Sequence, residues 1–160
     1  MSSIETLVSN SLENRLLEAD AYEAVFDPSI DILDLVHAVY PVRKKFTGKS
    51  VQIHILNNVQ NGYCPEDCHY CPQGKSSKAD IAAYPAKANE EVIAEAKAAY
   101  EKGAKRYCMV YSGRGPSMRK VEKISGVVKD IKSEVPIEIC LCAGLIDEEQ
   151  AQVLKEAGVD

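Results

Sequence analysis

The chain has 160 residues, 46% of them hydrophobic and 27% charged, and a formal net charge of −5. This suits one modest globular domain, and the mild acidity gives no support to a nucleic-acid surface. No apolar run reaches the roughly 18 residues that span a membrane. The opening "MSSIETLVSN" is too polar and acidic for a signal peptide. The expectation is a cytoplasmic protein that binds neither membrane nor nucleic acid, with six cysteines as reduced thiols or metal ligands.

Residues 1–48 read as a helical segment. Leu12, Leu16, Leu17 and Ala21 fall at helical spacing and predict a helix over 11–26. A second helix starts at Asp27 and Pro28 and sets Ile32, Leu35, Val36 and Val39 on one face. The pattern then changes. "VQIHIL" (51–56) is a strand, followed by a long cysteine-bearing loop. A helix over 89–104 ends at Gly103, and "KRYCMVY" (105–111) is a strand. "GRGPS" lacks the Gly-Lys-Ser/Thr of a phosphate loop and is read as a plain loop. A helix over 118–135, a strand over 138–143 and a last helix with a glycine stop complete the chain.

This order predicts an α/β fold of parallel strands: about three βα units of a partial (β/α) TIM-type barrel over 49–160, after the N-terminal helices. Three units cannot close a barrel, and the next strand belongs at Asp160. The expectation is a truncated first half of a barrel, with a small complete open sheet as the alternative.

Side chains alternate across a strand. Val51, Ile53 and Ile55, with Tyr107, Met109, Tyr111, Ile137, Ile139 and Leu141, form a largely apolar face suited to helices. The other face gathers Gln52, His54, Arg106, Cys108, Glu138, Cys140 and Cys142. Such a polar set inside a barrel points to a site, because buried charge is costly without partners. Small core packing is the competing reading for Cys108, Cys140 and Cys142.

"NGYCPEDCHYCPQG" (61–74) holds three cysteines spaced C-x3-C-x2-C. Four thiolates close a zinc site or saturate a [4Fe-4S] cluster, whereas three leave one corner open for chemistry. Zinc remains an alternative, with His54 or His69 as fourth ligand. A C-x-x-C redox pair at Cys68 and Cys71 is a weaker one, since it leaves Cys64 without a role.

"CPEDCHYCPQ" resembles the cluster motif of the radical S-adenosylmethionine superfamily, and more narrowly the biotin synthase family pattern C-P-E-[DN]-C-x-Y-C-[PS]-Q. The resemblance continues through "SKADIAAYP", "KRYCMVYSGRGPS" and "IEICLCAGLIDEEQAQVLKEAGVD", covering roughly residues 50–160. It implies that Cys64, Cys68 and Cys71 hold a [4Fe-4S] cluster whose open iron chelates S-adenosyl-L-methionine. It places Tyr70 near the adenine, and Tyr111, Ser112 and Gly113 along the methionine. Cys108 and Cys140 match two ligands of a [2Fe-2S] cluster, the sulfur source, with Arg106 beside them. The implied reaction is radical sulfur insertion converting dethiobiotin to biotin. The implied partners are an electron donor such as flavodoxin or ferredoxin, and a second copy in a full-length homodimer. A third cysteine and an arginine of the second cluster lie beyond Asp160 in that family, so the 160-residue chain alone is expected to be inactive. Another radical S-adenosylmethionine enzyme of the same barrel type, or a non-catalytic zinc or iron-sulfur module, are the alternative functions. Gly74 stands where the family usually has serine.

Overall fold

A computed structural model describes residues 3–17 and 19–160. They form two compact units, Met1–Val51 and Gln52–Asp160. The first contains α1 (Ser3–Leu12), α2 (Ala19–Glu23), a 3-10 turn at Ala24–Phe26, and α3 (Ile32–Thr47). The continuous helix expected over 11–26 is not formed. Asn14 adopts a left-handed φ of 55°. Arg15 N bonds to Asn10 O at 2.9 Å and Asn14 N to Ser11 O at 3.1 Å, the pair of bonds that closes a helix C-terminus. Leucines on both sides of this stop mimic one helical stripe, yet Leu16 is 95% exposed. Nor does Asp27 start α3. It accepts from the N–H and hydroxyl of Ser29 at 2.9 and 2.7 Å, making a turn, while Asp31 caps the helix through Leu33 N at 2.8 Å. Leu35 is buried on α3, whereas Ile32 and Val36 are exposed.

The second unit alternates strand and helix: β1 (His54–Gln60), α4 (Asn89–Glu101), β2 (Arg106–Tyr111), α5 (Met118–Glu134), β3 (Glu138–Cys142) and α6 (Glu148–Ala157). The strands are parallel in the order β1-β2-β3. Caps set the helix starts. Ser117 accepts from Lys120 N at α5, and Asp147 and Gln150 form a reciprocal capping box at α6. Tyr107, Met109 and Ile139 pack with Val92 and Ala96 of α4, Val121, Val128 and Ile131 of α5, and Leu154 of α6. The helix-facing side of the sheet is therefore the apolar side that alternation predicts. Asp160 N bonds to Ile139 O at 3.0 Å, so the chain comes back alongside β3.

β1 differs from expectation in position, and of the predicted apolar face of Val51, Ile53 and Ile55 only Ile55 lies in the strand, while Val51 and Ile53 are 80% and 50% exposed. It begins three residues later than Val51 and runs on through Asn57, Asn58 and Gln60. These residues are poor strand formers, and tertiary partners override that preference. Asn57 is buried on the helix side, where its amide donates to the Tyr107 hydroxyl and to Glu95. Lys87 donates to Asn57 Oδ1 at 2.9 Å and to Glu95 at 2.7 Å. A register shift between Asn58 and Gln60 bends the end of β1, immediately before the cysteine loop.

Candidate active site

The loop that follows β1 is folded by its own backbone. Cys71 N bonds to Cys68 O at 3.0 Å, Gly74 N to Cys71 O at 3.1 Å, and Lys75 N to Glu66 O at 2.8 Å. Tyr63 enters it with φ of 54°, a strained value for a bulky residue and one that concentrates at functional sites. Gly62 (φ 74°) is required beside it, since a Cβ there would lie 2.6 Å from Ala83 Cβ. At Gly74 a Cβ would meet Cys71 O at 3.3 Å, close but not prohibitive, so the missing serine leaves this turn intact.

Cys64, Cys68 and Cys71 line one cavity of about 380 Å³. Its far wall comes from the ends of the other two strands: Val110 and Tyr111 of β2 with Ser112, Gly113 and Arg114 after it, and Cys142 of β3 with Gly144 and Leu145 after it. The site thus sits beyond the C-terminal ends of parallel strands, where such sheets place ligands. The Ser112 hydroxyl donates to Gly62 O, and Gln73 Oε1 accepts from Gly62 N at 3.0 Å. The first bond joins the cysteine loop to the residue after β2, and the second ties the end of that loop back to its start. Lys120, in the first turn of α5, lies 4.9 Å from the centre of the Tyr111 ring and donates to Gln60 Oε1 at 2.8 Å. Burial pushes the Tyr111 hydroxyl up to about 12 and lowers the Lys120 pKa. Tyr70 is 99% exposed and does not line the cavity.

One pleat repeat deeper, roughly 6.6 Å along the strands, Cys108 and Cys140 are direct register partners. They share the open face with Arg106 and Glu138, also register partners, while Tyr107 and Ile139 point into the helix layer. Burial pushes the Cys108 thiol up to about 11, reinforced by its hydrogen bond with Cys140. Burial likewise raises Cys142, followed by the charge of Cys140 and a hydrogen bond with it. Arg106 is engaged by Glu138, donating through Nε and Nη2 at 3.0 and 2.8 Å, and Lys105 binds the same carboxylate at 3.2 Å. These bonds to Arg106 and Lys105 hold the Glu138 pKa below its ordinary value. His54 pairs in register with Arg106 on β1 and is exposed.

Two features were weakly marked in the sequence. Cys142 lines the same cavity as the loop thiols and feels the charge of Cys140, two residues earlier on the same face of β3, so it stands between the two thiol groups. Glu66 and Arg114 meet across the cavity rim at 3.2 Å. Their only sequence signal is position, inside the cysteine motif and inside "GRG". Among the described residues no three His, Cys, Asp or Glu side chains close on a single metal ion. Thiolates of this kind are the ligands that hold iron-sulfur clusters.

The sequence profile of the radical SAM superfamily matches residues 59–160, from the end of β1 onward. The chain belongs to the radical SAM superfamily. Within it, the chain is similar to the biotin synthase of Magnetococcus marinus, 52% identical over 134 residues covering 84% of this chain and 42% of the relative. The biotin synthase of Acaryochloris marina is 50% identical, covering 92% and 43%. That of Leptospira biflexa is 38% identical over the whole chain and 45% of the relative. The chain therefore spans less than half the length of these curated relatives. The crystal structure of methylornithine synthase matches 96% of the chain with a TM-score of 0.73 at 18% identity, covering 45% of that chain. A maturase of the [FeFe]-hydrogenase matches 99% with a TM-score of 0.69 at 18% identity, covering 36%. At that identity the likeness speaks for the fold alone: the three βα units of this radical SAM protein are part of a (β/α) barrel.

Proposed function

We propose that this chain carries the cofactor-binding part of a biotin synthase, which inserts sulfur into dethiobiotin to make biotin. In this reading Cys64, Cys68 and Cys71 hold a [4Fe-4S] cluster, and Tyr111, Ser112 and Gly113 lie along S-adenosyl-L-methionine, with Tyr70 toward its adenine. Cys108 and Cys140 supply two ligands to a [2Fe-2S] cluster beside Arg106. The observation that carries this is two thiol groups at two depths on one open sheet face: three around the cavity, and a register-matched pair one pleat below. Nothing in the superfamily's shared chemistry calls for that lower pair, so it favours biotin synthase over another radical SAM enzyme. The similarity to biotin synthases, up to 52% identical, points the same way.

When bound, the first cluster supplies the electron that splits the sulfonium of S-adenosyl-L-methionine, and the second supplies sulfur. The protein's own contribution is placement and shelter. Ser112 pins the loop to the end of β2, Gln73 closes the loop on itself at Gly62, Lys120 braces Tyr111, and the helix layer seals the apolar side of the sheet. The partners are dethiobiotin, a flavodoxin- or ferredoxin-type electron donor, and a second copy in a homodimer. The setting is the cytoplasm, where free thiols persist. The test is anaerobic reconstitution of wild type and Cys64→Ala with iron and sulfide. Wild type should turn brown, bleach in air and cleave S-adenosyl-L-methionine; Cys64→Ala should do none of these. Cleavage retained in Cys64→Ala contradicts the assignment.

A further inference from the structure

We infer that the Glu66–Arg114 ion pair is a positioning clasp that holds the cysteine loop at its place over the cavity. Glu66 lies between Cys64 and Cys68. Arg114 Nη1 reaches both of its carboxylate oxygens, at 3.3 and 3.2 Å. Both residues line the cavity, and Arg114 is the cation among its lining residues. Arg114 is fixed from behind by the loop after β3. Its carbonyl accepts from Leu145 N at 2.8 Å. It also packs on Gly144 (φ 86°), where a Cβ would lie 2.3 Å from Arg114 O. On the same seam, a Cβ on Gly115 would lie 2.3 Å from Leu145 O. The loops after β2 and β3 therefore interlock by backbone contact that a side chain would block.

On the other side, Glu66 O accepts from Lys75 N at 2.8 Å, so its backbone is tied into the turns carrying Cys68 and Cys71. The pair thus adds a side-chain link between the loops after β1 and β2, beside the Ser112–Gly62 bond, while backbone contact at Arg114 joins the loop after β3. The pair is partly exposed, and an exposed ion pair adds little to global stability. Its effect falls on the local opening of the loop, whose free energy is small enough for one contact to matter.

The inference rests on the loop being the cluster site, but its test does not need a cluster. In the 160-residue chain without iron, the alkylation rate of each cysteine by iodoacetamide is followed by peptide mass spectrometry. Cys108, on β2, is the internal reference. Glu66→Gln and Arg114→Gln should each speed labelling of Cys64 and Cys71 roughly two- to fivefold, with Cys108 and thermal unfolding unchanged. The exchanged pair, Glu66→Arg with Arg114→Glu, should return the rates toward wild type. Unchanged Cys64 and Cys71 rates in both single variants overturn the clasp, as does an exchanged pair as fast as the singles. Cys108 accelerating in parallel also overturns it, because the effect is then general loosening. A parallel anaerobic iron titration keeps the two ideas apart. If wild type takes up no iron, the cluster reading fails while the labelling still decides the clasp.

Discussion

The thiol of Cys108 is hard to ionise. Burial and the hydrogen bond with Cys140 lift it from an ordinary 9.0 to about 11. Thiolate is the reactive and metal-binding form, so its fraction near pH 8 falls roughly a hundredfold. The sign for stability follows. A folded pKa raised above the unfolded one stabilises the fold below pH 9 and loses that contribution as pH rises through about 11. The iron-free chain should therefore alkylate slowly at Cys108 at pH 8, with a rate that climbs until about pH 11. A rate that levels off near pH 9 would show an ordinary thiol. Residue types and spacing made Cys108 and Cys140 readable as a pair, because alternation fixes which face each takes. The engagement of Arg106 was hidden. Whether a guanidinium faces thiols or Glu138 depends on pairing between β2 and β3 that spacing does not supply.

At the scale of elements, the helices that cover the sheet are held by their buried faces. Ile131 lies in the last turn of α5 and is fully buried among side chains of the core. Cutting it back to alanine should cost about 2–5 kcal/mol in a denaturant titration, through lost transfer free energy and the cavity left behind. A loss below about 0.5 kcal/mol, the size of an ordinary surface change, would mean α5 does not pack as described. Strands and helices after residue 88 were legible because period-two and period-3.6 patterns alternate cleanly there and glycines mark the stops. The N-terminal helices were less so. Asn14 ends α1 by a local backbone choice that leaves the leucine spacing intact. β1 was misplaced because Asn57 depends on Glu95, Tyr107 and Lys87, all distant in sequence. The cavity rim was equally hidden, since Glu66 and Arg114 are joined only by the fold.

Three parallel strands give the second unit an open sheet, with Cys108 and Cys140 half-buried on its thiol face and Cys142 exposed. Radical chemistry needs that face enclosed. Only two thiols of the lower pair's level, Cys108 and Cys140, are in register here. The chain alone should therefore make no biotin from dethiobiotin with S-adenosyl-L-methionine and reductant under anaerobic conditions. Repeated turnover would show that three βα units suffice. The cavity itself needs no further strands, because the three strand ends of this chain build it. Electron paramagnetic resonance of the reconstituted, dithionite-reduced chain, with and without S-adenosyl-L-methionine, tests the cluster site most directly. The expected result is a [4Fe-4S]⁺ signal that changes shape when S-adenosyl-L-methionine is added and is absent in Cys64→Ala. A signal indifferent to S-adenosyl-L-methionine, or one that persists in Cys64→Ala, would contradict the assignment of Cys64, Cys68 and Cys71.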